Sequence, residues 1–63
     1  MTVYDVLKKV EASQLMRITD KVRGTVRGNA YSLHEMLDGV IMSLEVDMIR
    51  TESGVIVVEV KSE

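Results

Sequence analysis

The stretch Leu44-Glu45-Val46-Asp47-Met48-Ile49-Arg50-Thr51-Glu52-Ser53-Gly54-Val55-Ile56-Val57-Val58-Glu59-Val60-Lys61 reads as a β-hairpin. Apolar residues alternate with others on both sides of Glu52-Ser53-Gly54, the two-residue period of a strand with one buried face. Leu44, Val46 and Met48 form one apolar set, and Ile56, Val58 and Val60 form the other. A three-residue loop with glycine last predicts a type I turn with a bulge. That register opposes Thr51 to Val55, Met48 to Val58, Val46 to Val60 and Glu45 to Lys61, so each core residue meets a core residue. It also opposes Asp47 to Glu59, which is unfavourable unless a cation lies nearby.

The same unit can be read thirty residues earlier, with residues 2–31 aligned on 32–61. Only four of the thirty pairs are identities. The agreement lies in the register of caps, apolar positions and a turn glycine. Thr2 falls on Ser32, Leu7 on Leu37, Val10 on Val40, Met16 on Val46, Gly24 on Gly54 and Val26 on Ile56. A tandem helix–strand–strand unit follows.

In the first unit Thr2 can cap a helix, with Asp5 three residues on as a capping-box acid. Val3, Val6, Leu7 and Val10 then keep helical spacing, which predicts a helix over about 3–11. The second unit has Ser32 with Glu35, the stripe Leu33, Met36, Leu37 and Val40, and a stop at Asp38-Gly39. Between them the pattern predicts strands near 14–20 and 25–31, turned at Val22-Arg23-Gly24. The fold class expected is α+β. It has two layers, a four-stranded, mostly antiparallel sheet with two short helices on one face. Residues 1–63 make a single domain, built of one unit over 2–31 and a second over 32–61.

Sixty-three residues bury too little surface to be more than marginally stable alone. There is no Cys, so disulfides, thiol nucleophiles and thiolate metal sites are excluded, and one His excludes a multi-histidine site within one chain. Phe and Trp are absent, so Val, Leu, Ile and Met must build the core. No apolar run approaches the ~20 residues of a membrane span, and the start lacks a signal-peptide pattern. A cytoplasmic protein without a cofactor and with no membrane partner is expected.

The net charge of −2 conceals an asymmetry. Residues 17–27 sum to +3 and residues 45–63 to −3. The sheet face away from the core carries Leu15, Arg17, Thr19, Arg27 and Tyr31 from one unit. From the other it carries Glu45, Asp47, Ile49, Val55, Val57 and Glu59. Apolar residues where a solvated sheet carries polar ones predict a partner or dimer interface of Ile49, Val55, Val57, Leu15 and Tyr31. The plainer reading is scattered β-branched residues that favour a strand. An acidic hairpin of Glu45, Asp47, Glu52 and Glu59 would face the basic channel of a partner. The basic cluster Arg17, Lys21, Arg23 and Arg27 is the alternative, a nucleic-acid contact. Against it stand the pI near 5.3 and the lack of stacking aromatics. His34 is the one side chain that titrates near neutrality. It sits in a helix first turn, where a surface histidine is the plainer reading. No residue set has catalytic or metal-ligating spacing.

Thr2-Val3-Tyr4-Asp5-Val6-Leu7-Lys8-Lys9-Val10 resembles the opening of many short proteins from phages and prophages of Gram-positive bacteria. In these a T-V-x-D-[VL]-L-K helix is followed by a short strand, a glycine-bearing turn, a second helix and a terminal hairpin. The likeness is close over those nine residues and covers most of the chain in outline. It carries over no functional residue. It implies a small non-enzymatic protein that binds and blocks a larger host protein, including CRISPR and other defence machinery. The expectation is therefore a homodimeric binding inhibitor of anti-CRISPR type, with a nucleic-acid-binding regulator as the alternative.

Overall fold

The chain is described by a computed structural model covering residues 1–22 and 24–61. Seven elements follow in order: α1 (Val3–Leu7), β1 (Leu15–Asp20), β2 (Gly24–Asn29), α2 (Ala30–Met36), α3 (Gly39–Met42), β3 (Val46–Glu52) and β4 (Val55–Val60). They form an α+β structure with one four-stranded mixed sheet in the order β2-β1-β4-β3. Both hairpins are antiparallel, and β1 and β4 join them in parallel through Met16–Ile56 and Ile18–Val58.

Alternation along the strands sends one set of side chains under the helices. Met16 and Ile18 of β1 and Val58 and Val60 of β4 pack with Val3, Val6 and Leu7 of α1 and Ala30 and Leu33 of α2. Helices this short do not persist in water, so this apolar contact holds them.

The first cap forms as its residues predict. The Thr2 hydroxyl accepts the Asp5 N–H at 3.3 Å, and the Asp5 carboxylate accepts the Thr2 N–H at 3.0 Å. Those hydrogen bonds, with Lys8 nearby, hold the Asp5 carboxyl below its usual value of 3.8. The helix ends at Leu7 rather than near residue 11, yet Val10 still packs against the core.

The second helical segment departs from expectation. Its cap is Asn29, whose side chain accepts the Ser32 N–H at 2.7 Å, while Ser32 Oγ accepts the Asn29 N–H at 3.2 Å. Ser32 therefore stands where Glu35 was expected to act, one turn earlier. Two backbone contacts set this start. The N–H groups of Ala30 and Tyr31 donate to the carbonyls of Gln14 and Ala12, at 2.9 and 3.0 Å. The helix stops at Met36, and Asp38 caps α3 by accepting the Ile41 N–H at 2.9 Å. Asp38-Gly39 thus begins a helix instead of ending one. The break leaves Met36 and Val40 exposed, so the apolar stripe keeps only Leu33 and Leu37.

In the terminal hairpin the turn is Ser53-Gly54 alone, with φ of 49° and 80°. Positive φ at both central residues suits the right-handed twist of a hairpin. Glu52 then faces Val55, Arg50 faces Val57, Ile49 faces Val58 and Met48 faces Glu59, one residue from the expected register. An extra residue at Asp47 restores Val46 to Val60. Below this bulge the faces are as expected, and above it Met48 and Ile49 have exchanged sides. The bulge also separates Asp47 from Glu59. In the first hairpin Arg17 faces Arg27, two residues from the expected pairing, which leaves the faces unchanged. Arg23 of that turn lies outside the described residues.

The expected thirty-residue repeat does not carry into the structure: the second half has two helices where the first has one, and equivalent strands take different places in the sheet. β1 is central while its counterpart β3 lies at an edge, and β4 is central while β2 lies at the other. A central strand is paired along both edges, and of these two only β4 has adjacent residues, Val57 and Val58, both fully buried.

Candidate interaction face

The face of the sheet without helices carries Thr25 and Arg27 of β2, Leu15, Arg17 and Thr19 of β1, Val55, Val57 and Glu59 of β4, and Met48, Arg50 and Glu52 of β3. Across its middle the pairings set Arg27, Arg17, Val57 and Arg50 side by side. Arg17 Nη2 lies 3.1 Å from Glu52 Oε1 although β4 runs between their strands. Arg50 Nε lies 2.7 Å from Glu52 Oε2, and Arg50 Nη1 contacts Glu59 Oε2. These four side chains arch over β4. Val57 is fully buried beneath them, although no helix or second sheet covers this face. Aliphatic stems of long charged side chains exclude water from what they cross. Hydrogen bonds from Arg50 first, then Arg17, hold the Glu52 carboxyl below its usual value of 4.5.

This arrangement redistributes the residues expected to form an interface. Ile49 lies on the opposite, helix-side face, because the bulge and the two-residue turn shift its register. Val57 is unavailable to a partner because its own arginines cover it. Tyr31 lies on α2, not on a strand, because Asn29 caps the helix before it. Leu15 and Val55 do share the open face, and Leu15 is exposed there. They line an open hollow of about 340 Å³ with Met16, Arg17, Arg27 and Gly28.

The acidic surface is largely neutralised. Glu52 and Glu59 belong to the arginine lattice, and Glu45 lies 3.2 Å from the Met1 ammonium. Asp47 alone of the four expected acids is exposed in the bulge without an ion pair among the described residues. The basic cluster is divided too. Arg17 is engaged by Glu52 and Lys21 lies exposed beside the first turn. Arg27 sits directly opposite Arg17 and has no ion pair among the described residues. Sequence reading missed Arg50, the centre of the lattice. Its signal was the Asp47–Glu59 conflict, which called for a nearby cation.

His34 packs its ring 5.9 Å from that of Tyr4, with Lys8 Nζ 5.4 Å above the Tyr4 ring. A hollow of about 160 Å³ lies beside it, lined by Leu7, Val10, Ala12, Ala30 and Tyr31. No carboxylate orients the imidazole among the described contacts. No group of three His, Asp or Glu side chains converges as metal ligands among the described residues. No helix of the described residues is long and apolar enough to cross a membrane. No family model, no curated protein and no solved structure matches the chain.

Proposed function

We propose that the chain is a non-enzymatic binding protein that occupies a surface of a larger protein with its helix-free sheet face. One observation carries this reading: Arg27, which has no ion pair among the described residues, borders the open hollow of Leu15, Met16 and Val55. Two like charges directly opposed across a strand pair cost stability. An acidic residue of a partner seated at Arg17 and Arg27 would relieve that cost, with an adjacent apolar side chain filling the hollow. This reverses the expected polarity, in which the chain's own acids faced a basic channel. The resemblance to small phage proteins makes a host protein the partner, and a counter-defence inhibitor of anti-CRISPR type its most specific form. The mechanism is steric occlusion in the cytoplasm of the host.

The nucleic-acid reading has Arg17, Arg27 and Lys21 in its favour. A protein that tracks a phosphate backbone needs several free cations, each releasing counterions. Here Arg17 is already held by Glu52, so the protein reading is preferred.

The test is capture of partners from host lysate on tagged protein, with and without nuclease, comparing wild type with Arg27→Glu. A protein partner that survives nuclease and is lost at least tenfold with Arg27→Glu, about 1.4 kcal/mol, supports occlusion. Recovery of nucleic acid alone moves the basic hairpin to first place. Capture of the same partner by wild type and Arg27→Glu alike removes this face from the reading.

A further inference from the structure

The two edges of the sheet are unequal. Along β2 the edge holds Gly24, Gly28 and Arg27, which has no ion pair among the described residues. Along β3 every residue from Asp47 to Glu52 is exposed, with Met48 at 52% and Ile49 at 45%. No Pro or Lys interrupts β3, and its one bulge, at Asp47, lies at the start of the exposed run and leaves Met48 to Glu52 in a regular ladder.

Two features bound the free part of this edge. At its start the Val46 N–H donates to the Met1 carbonyl at 2.8 Å and Thr2 bridges Glu45, so that stretch is already covered. At its end the chain turns at Ser53. Glu52 and Val55 flank a two-residue turn and so form a hydrogen-bonded pair, from which the ladder alternates. The backbone groups of Glu52 and Arg50 therefore face β4, while those of Ile49 and Thr51 face outward. No backbone hydrogen bond to another described element takes them.

We propose that a second copy of this chain occupies this edge. β3 pairs antiparallel with the partner's β3 about a two-fold axis at Ile49, joining two four-stranded sheets into one of eight strands. A two-fold pairing centres on the middle of the segment it uses, and the middle of the free segment 47–51 is Ile49. That register places Ile49, whose amide and carbonyl both face outward, in a hydrogen-bonded pair with the partner's Ile49. Met48 meets the partner's Arg50, and Asp47 meets the partner's Thr51. No like charges are directly opposed. Centring on Arg50 would face two guanidinium groups across the axis. Centring on Met48 would run the partner's strand into Met1 and Thr2. Two half-exposed isoleucines then cover each other on the helix-side face, where no helix lies over Ile49. This edge lies at the opposite margin of the sheet from β2, so Arg27→Glu leaves the dimer intact.

The chain contains no cysteine, so one introduced cysteine can bridge only to another copy. Ile49→Cys is expected to give covalent dimers rapidly under mild oxidation. Thr51→Cys is not, because two copies of that residue lie about 14 Å apart along the paired strands, beyond the reach of a disulfide. Sedimentation of wild type should show the 7.1 kDa mass doubling as concentration rises. Ile49→Lys should weaken that association at least tenfold while the circular dichroism of the chain is kept. A monomer at millimolar concentration overturns the proposal. So does cross-linking of Thr51→Cys as fast as Ile49→Cys.

Discussion

At the scale of single residues, Gly28 shows how closely β2 and α2 approach. A Cβ built there would stand 2.7 Å from Ser32 Oγ. That hydroxyl is not free to move, since it accepts the Asn29 N–H and donates to the Asn29 carbonyl. Gly28→Ala should therefore lower stability by about 1–3 kcal/mol, measured as a shifted urea midpoint. Glu52 makes a second residue-scale prediction. Its carboxyl is held below 4.5 in the folded chain by Arg50 and Arg17. Stability from that group is complete above the unfolded value and is lost as pH falls through the lower folded value. Asp5, held below 3.8, acts in the same sense. Urea midpoints of wild type should fall on acidification below about pH 4.5. Glu52→Gln should be less stable at neutral pH, and its midpoint should change less across the same acid range.

At the scale of elements, the bulge at Asp47 decides which side chains reach the helix-free face. Deleting Asp47 leaves Val46 opposite Val60 and Met48 opposite Glu59, now in a regular ladder. This variant should keep stability within about 1 kcal/mol of wild type. Deleting Met48 instead brings Asp47 opposite Glu59 and should be more than about 1 kcal/mol less stable. Thermal unfolding of the two variants separates these outcomes. This element also shows what was legible beforehand. Met48 leaves the set expected for it, while the hairpin, the core positions Val46, Ile56, Val58 and Val60, and the Val46–Val60 pairing follow from period-two alternation. The face of Ile49 does not, because one residue of turn length inverts every side chain above the bulge. Likewise Thr2 and Asp5 announce their cap locally. The cap at Asn29 depends on backbone contacts to Ala12 and Gln14, which no local pattern records. Of the expected interface, only Leu15 and Val55 remain together on an accessible face, because alternation alone does not say that Arg17 and Arg50 fold over Val57.

At the scale of the whole molecule, the helix layer and the lattice of charges protect opposite faces of one sheet. The core beneath the helices is apolar and continuous. The other face uses Arg17, Arg50, Glu52 and Glu59 as a cover, so a chain this short encloses β4 on both sides without a third layer. Exposed ion pairs are individually weak. Their structural effect here is to keep long aliphatic stems over Val57. Within the sheet two areas stand open and apart: the hollow beside Arg27 on one face and the β3 edge at the margin. On the two proposals above, a partner at Arg27 and a second copy at β3 would sit at opposite margins of the sheet, so neither would exclude the other.

The parallel pairing of β1 with β4 has a kinetic side. Its contacts join residues forty apart, such as Met16 and Ile56. Long loops must close before that pairing gains anything, and such topologies fold slowly for their size. It also means that the two hairpins depend on each other, since each supplies the neighbour that the other's inner strand lacks. A nick in the extended link at Leu37 would leave two fragments, each with an open inner edge. Mixed together, those fragments have the means to find one another and rebuild the fold as a non-covalent pair.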